Sequence, residues 1–230
     1  MRELGVMVGL LVGLFFLASQ GRATVVTYNF NDGTLGGLVV KKDPGFSVTV
    51  TNGVANVSES AGFGNGGLNL YTPFTITGDF TATVLVNRTG IGSCEAGLQA
   101  ESPDDTSTLA NIFFVRASNI ASNIFRPTVY TAYNTANNAA TMTLGLSRVG
   151  TTITETYNDG SGNVTHSQSH PTMAGPLKLH LFLGEEFGDY GAHAASFDNF
   201  TITADGIPEP ATAGLFMLPA LWMMMGRRRV

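Results

Sequence analysis

Leu144-Gly145-Leu146-Ser147-Arg148-Val149-Gly150-Thr151-Thr152-Ile153-Thr154-Glu155-Thr156-Tyr157-Asn158-Asp159-Gly160 is the stretch that decides the fold. It opens with Met142, Leu144 and Leu146 alternating with Thr141, Thr143, Gly145 and Ser147, a period of two. Successive side chains of a strand point to opposite faces, so this pattern gives one buried and one partly solvated face. Asn158-Asp159-Gly160 then breaks the run as a hairpin turn does, because Asn, Asp and Gly tolerate the positive φ that tight turns demand.

The same period recurs outward along the chain. Leu177, Leu179, Leu181 and Leu183 alternate with Lys178, His180 and Phe182. Ala82, Val84 and Val86 alternate with Thr81 and Thr83, and Val26, Tyr28 and Phe30 with Thr27 and Asn29. A second turn signal stands at Asn31-Asp32-Gly33. The 28 glycines and the abundance of Thr, Asn and Ser suit short strands joined by many turns. About a dozen strands, with no repeat or linker between them, predict one domain over residues 24–205. Its expected class is all-β, an antiparallel jelly-roll β-sandwich.

Three segments carry a resemblance. Tyr28-Asn29-Phe30-Asn31-Asp32-Gly33-Thr34-Leu35-Gly36, the stretch quoted first, and Ala195-Ser196-Phe197-Asp198-Asn199-Phe200-Thr201-Ile202 together resemble concanavalin A-like lectin/glucanase jelly rolls, laminin G-like domains included. The resemblance implies that the opening strand lies beside the closing strand and that a central hairpin beginning at Arg148 links the sheets. The chain departs from that pattern after Asp159-Gly160, where no Trp follows.

The two ends carry a different signal. Met1-Arg2-Glu3, an apolar run from Leu4 to Ala18 and the small residues of Gly21-Arg22-Ala23 form a secretory leader, with cleavage expected after Ala23. At the other end stand Pro208-Glu209-Pro210, an apolar stretch from Ala213 to Met225 and Arg227-Arg228-Arg229. That order resembles the PEP-CTERM sorting signal of Gram-negative bacteria that make exopolysaccharide. The resemblance implies an exosortase that recognises Pro208, Glu209 and Pro210, a transient stay in the inner membrane through an apolar helix, and a final place in the envelope or extracellular matrix. The expected layout is therefore a signal peptide over 1–23, the sandwich over 24–205 and the sorting signal over 206–230.

Charge limits the partners. Between Thr24 and Ile207 stand seven basic and fifteen acidic residues, a net −8, so phosphate backbones are repelled and nucleic-acid binding is disfavoured. Cys94 is the only cysteine, which excludes an internal disulfide and leaves a buried apolar residue or an exposed thiol.

Candidate sites follow from chemistry. Glycan hydrolysis needs two carboxylates across a cleft. The E-x-D-x-x-E strand of laminarinase-like members is missing, and Glu95, sharing a strand face with Gln99, has no second carboxylate nearby on that face. No catalytic residue is assigned and a non-catalytic domain is expected. Sugar binding would use aromatic faces and orienting polar groups, with Gln99, Arg116, Tyr130, Tyr133, His180 and Tyr190 as candidates. The four histidines lack zinc-like spacing, whereas Asp32 and Asp198, on strands that the resembled fold sets side by side, are candidate ligands for Ca2+. The expected function is thus a non-catalytic envelope or matrix protein binding exopolysaccharide or another glycan. The alternatives are a structural or adhesive surface protein and a glycan-active enzyme.

Overall fold

The alternation read from the sequence closes into two antiparallel sheets packed face to face. The computed structural model describes residues 23–61, 66–88, 94–105, 108–115, 119–125, 130–169, 171–185, 191–205 and 207. Apart from Ala23 and Ile207, the residues expected to form the leader and the sorting signal lie outside the described residues, as do Arg116 and Tyr190.

The strands are β1 (Thr24–Tyr28), β2 (Val39–Lys42), β3 (Phe46–Thr51), β4 (Val54–Glu59), β5 (Gly67–Tyr71), β6 (Phe80–Asn87), β7 (Cys94–Glu101) and β8 (Leu109–Val115). After them come β9 (Asn119–Phe125), β10 (Tyr130–Ala136), β11 (Thr141–Val149), β12 (Thr152–Asn158), β13 (Asn163–Ser169), β14 (Lys178–Glu185) and β15 (His193–Ala204). One sheet has eight strands, ordered β13-β12-β11-β6-β15-β4-β3 with β1 also on β15. The other has seven, ordered β10-β9-β8-β7-β14-β5-β2. Every strand pairing is antiparallel.

Burial follows the period of two. Leu144 and Leu146 are sealed in the core with Ala82, Val84, Val86, Leu179, Leu181 and Leu183. Complete burial of each such aliphatic side chain contributes about 1.5–3 kcal/mol before conformational entropy is counted. The opening and closing strands do lie side by side: Tyr28 stands opposite Phe200, and their rings stack with centroids 5.6 Å apart.

The hairpin of β11 and β12 turns through Gly150, whose φ of 60° is the left-handed conformation a two-residue connection requires. The hairpin that follows it, β12 to β13, pairs Asn158 with Asn163 around the Asp159-Gly160 turn. One expectation is corrected: β11 and β12 both belong to the eight-stranded sheet, so the hairpin itself does not link the sheets. Arg148 forms the link instead. Its buried guanidinium donates to the carbonyls of Ile76, Gly78, Met173 and Gly175, on the connections leading into and out of the other sheet. A planar fork of five N–H donors suits that task, whereas a lysine ammonium does not.

Candidate functional site on the outer face of the seven-stranded sheet

The outward faces of the two sheets differ in chemistry. On the eight-stranded sheet, small hydroxyls pair across strands: Thr27 with Thr201, Ser47 with Ser58, Thr154 with Ser167 and Thr152 with Ser169. These residues are exposed or half-buried, and the recess that this face does carry, beside Asn56, Ser58, Asn87 and Ser196, is lined by small side chains without an aromatic ring. The seven-stranded sheet carries large and polar side chains outward, and several are nearly inaccessible.

Register arranges these residues in three rows running across the strands. In the middle row Tyr71 of β5 stands beside His180 of β14, His180 beside Gln99 of β7, and Gln99 beside Asn111 of β8. On one side the row is Lys178 beside Glu101. On the other it is Lys41, Asn69, Phe182, Gly97, Phe113 and Ala121. Phe113, Ala121 and Phe182 form an apolar cluster of their own, separate from the core, with the two rings 5.7 Å apart. Gly97 between them leaves the rings room to close.

Hydrogen bonds tie the middle row to Glu101. Asn111 Nδ2 donates to Gln99 Oε1 at 3.3 Å, and Gln99 Nε2 donates to Glu101 Oε2 at 3.2 Å. Tyr71 is held to the same carboxylate: burial first, then the charge and hydrogen bond of Glu101, push its phenol up to about 12. The Tyr71 ring also packs 4.4 Å from the His180 ring, with Lys41 Nζ 4.8 Å and Lys178 Nζ 5.3 Å from its centroid. His180 is 2% exposed, and desolvation, helped by Lys178 and Lys41, lowers its imidazole to about 3. It is therefore neutral at physiological pH.

Two polar atoms of this row are buried without a hydrogen-bond partner, His180 Nδ1 and Asn111 Oδ1. Such an atom costs about 1–3 kcal/mol when orphaned, so its persistence calls for a ligand or water that completes it.

Gln99 and His180, both sequence candidates, are thus neighbours in one row. Tyr130 and Tyr133 lie on β10 at the far edge of the sheet, in register with Phe125 and Ser122. Tyr71, Asn111 and Lys178 carried no local sequence signal, since a single Tyr or Asn in a strand is ordinary. Glu101 could have been found by counting: it shares the parity of Glu95 and Gln99 and so the same face of β7. Glu95 and Glu101 are six residues apart, roughly 20 Å along an extended strand, beyond the separation of about 5–10 Å that paired glycosidase carboxylates keep.

Asp32 accepts from the backbone and hydroxyl of Thr34 at 2.9 and 2.8 Å, which lowers its pKa, and Asp198 accepts from Asn199 at 2.6 and 3.0 Å. Asp32 thus completes its own turn, and Asp198 the bulge of β15 where the register with β6 shifts. Among the described residues no group of three or more His, Cys, Asp or Glu is placed to hold a metal ion.

No protein-family model matches this chain, and no curated protein does. Solved structures do. A non-specific endo-β-1,3(4)-glucanase from family GH16 superposes with a TM-score of 0.63 at 11% identity, over 81% of this chain and 92% of its own. The endo-β-1,3-glucanase of Pyrococcus furiosus gives 0.62 at 7% identity, over 83% and 97%. The lectin of Bauhinia forficata, in complex with GalNAc, gives 0.58 at 13% identity, over 79% and 98%. Endo-glucanases recur among the similar structures. These neighbours correct the expectation of a non-catalytic binding protein. That expectation rested on a carboxylate motif missing from one strand, which says nothing of groups that register gathers from several strands. At such identities the likeness establishes the fold, and the chain has the jelly-roll sandwich shared by concanavalin A-like lectins and these glucanases.

Proposed function

We propose that this chain is a glycan-active domain that takes a polysaccharide along the outer face of its seven-stranded sheet. The observation carrying this reading is the buried polar row of Tyr71, His180, Gln99 and Asn111, with two polar atoms unpartnered, flanked by the apolar patch of Phe113 and Phe182. Apolar rings suit the faces of sugar rings, and amide and imidazole groups suit their hydroxyls. The glucanases and the lectin that share the fold support the reading by the ligands and substrates their names state. The sequence supports delivery to the envelope: a leader ending at Ala23, and a PEP-CTERM-like tail presenting Pro208, Glu209 and Pro210 to an exosortase.

The test uses the full chain against a panel of neutral and acidic polysaccharides, with new reducing ends as the readout. Chain shortening that Tyr71→Phe abolishes is expected, and no shortening of any polymer in the panel overturns the reading. Delivery is tested by fractionating cells that carry the protein with Pro208, Glu209 and Pro210 replaced by Ala. Retention in the inner membrane is expected, and unchanged release overturns the sorting assignment.

A further inference from the structure

The glycan-active reading leaves substrate and reaction open, and the distribution of charge on the face narrows both. The chain has only three lysines, Lys41, Lys42 and Lys178, in a domain whose net charge is strongly negative. Two of them come from different strands, β2 and β14, to the same Tyr71 ring. Collecting two ammonium groups against one ring costs repulsion, which Glu101 offsets only in part: two cations face one carboxylate, with His180 neutral. Among the described residues around the Tyr71 ring the balance is one positive charge, and an anionic sugar completes it.

The spacing of acids constrains the reaction. Glu95 and Glu101 are too far apart to act as the two carboxylates of a hydrolase. Cleavage by β-elimination needs no such pair. It needs a neutral base beside the proton alpha to a sugar carboxylate, a proton donor for the departing oxygen, and cations or amides that hold the carboxylate as negative charge builds on it. A neutral imidazole and a phenol in ring contact stand here beside Gln99, Asn111 and two lysines.

We propose that the substrate is a uronate-containing polysaccharide and that the domain cleaves it by β-elimination, His180 acting as base, Tyr71 as acid, and Lys41 and Lys178 holding the uronate carboxylate. In the step, His180 takes the proton alpha to the carboxylate, and that electron pair becomes a carbon–carbon double bond. The glycosidic carbon–oxygen bond at the β-carbon breaks, and the departing oxygen takes the Tyr71 hydroxyl proton. The two residues return to their starting protonation through solvent, and no water, oxidant or reductant is consumed. Burial is what chiefly holds His180 low, and a carboxylate seated between the lysines offsets only the smaller part that Lys178 and Lys41 add.

This inference rests on the glycan-active reading, and the experiment separates the two. The full chain is incubated with alginate, polygalacturonate, polyglucuronate and a neutral β-1,3-glucan, following both reducing ends and the ultraviolet absorbance of the unsaturated uronate product. Absorbance rising with a polyuronate and not with the neutral glucan is expected. Tyr71→Phe should lower kcat about 100-fold or more with the fold retained by circular dichroism. Lys41→Met and Lys178→Met should each raise KM about ten-fold with a smaller change in kcat. New reducing ends without absorbance, or action confined to the neutral glucan, overturn the elimination and leave the glycan-active reading standing. No new reducing ends with any polymer overturn both.

Discussion

Gly97 of β7 and Phe113 of β8 meet so closely that a Cβ built on Gly97 would stand 2.5 Å from the Phe113 Cβ, and closer still to the Ile112 carbonyl oxygen. Glycine at this place lets the two strands and the Phe113–Phe182 pair close on one another. The replacement Gly97→Ala is expected to push β8 away, costing about 1–3 kcal/mol as overpacking does. Urea denaturation measures the loss, and the midpoint should fall with no change in slope. An unchanged midpoint would show that the strands part freely.

Arg148 ties together the two connections that pass between the sheets. Its guanidinium completes carbonyls of Ile76, Gly78, Met173 and Gly175 and lies 5.5 Å from the Phe80 ring centroid. Arg148→Ala strands those carbonyls and leaves a cavity, so a loss of about 3–5 kcal/mol is expected. Arg148→Lys should recover only a part, because one ammonium cannot reach both connections. Thermal unfolding of the two variants beside the parent checks the ranking, and equal midpoints for the lysine variant and the parent would refute it.

Acid sensitivity should trace to His180. Its imidazole is lowered to about 3 in the folded chain, against an ordinary value of 6.5. Between these values the unfolded chain binds a proton that the folded chain refuses, so stability falls as pH falls from 6.5 towards 3. The slope is up to about 1.4 kcal/mol per pH unit for one group. His180→Gln should flatten the fall across that window whatever it does to stability at neutral pH. Denaturant midpoints at a series of pH values give both slopes, and identical slopes would remove His180 from the account.

The turn joining β12 to β13 depends on Asp159. Its carboxylate accepts from the Ser161 backbone at 2.9 Å, the Ser161 hydroxyl at 2.6 Å and Asn137 Nδ2 at 2.9 Å, which lowers it to about 2. Asp159→Ala should speed amide hydrogen exchange at Gly160 and Ser161 while the core strands keep their protection. The same loss of protection, taken relative to the intrinsic exchange rate at each pH, should appear in the parent only at pH near 2, when the carboxylate takes up its proton.

The strands were legible because alternation is local. Met142, Leu144 and Leu146, or Leu179, Leu181 and Leu183, declare the buried face within a few residues. The candidate site was legible in part. Gln99 and His180 were visible as polar groups on apolar strands, but their adjacency to Tyr71 and Asn111 is a matter of register between β5, β14, β7 and β8. Such register is fixed by long-range pairing that no short window contains. Glu101 was less legible for another reason: it shares the face of Glu95 but lies six residues away, outside the E-x-D-x-x-E spacing of a catalytic strand. Arg148 appeared in the sequence as one letter of a hairpin, and only the packed connections give it four carbonyls to complete.

The pairing of β1 with β15 sets Thr24 opposite Ala204, so the sandwich begins and finishes at one corner, in the layer opposite the polar row. A membrane or matrix attached through either end grips the same corner, and the face with Tyr71 and His180 belongs to the far layer in both cases. The geometry also permits circular permutation: a short linker from Ala204 to Thr24, with new termini opened at Gly160, leaves every strand pairing intact.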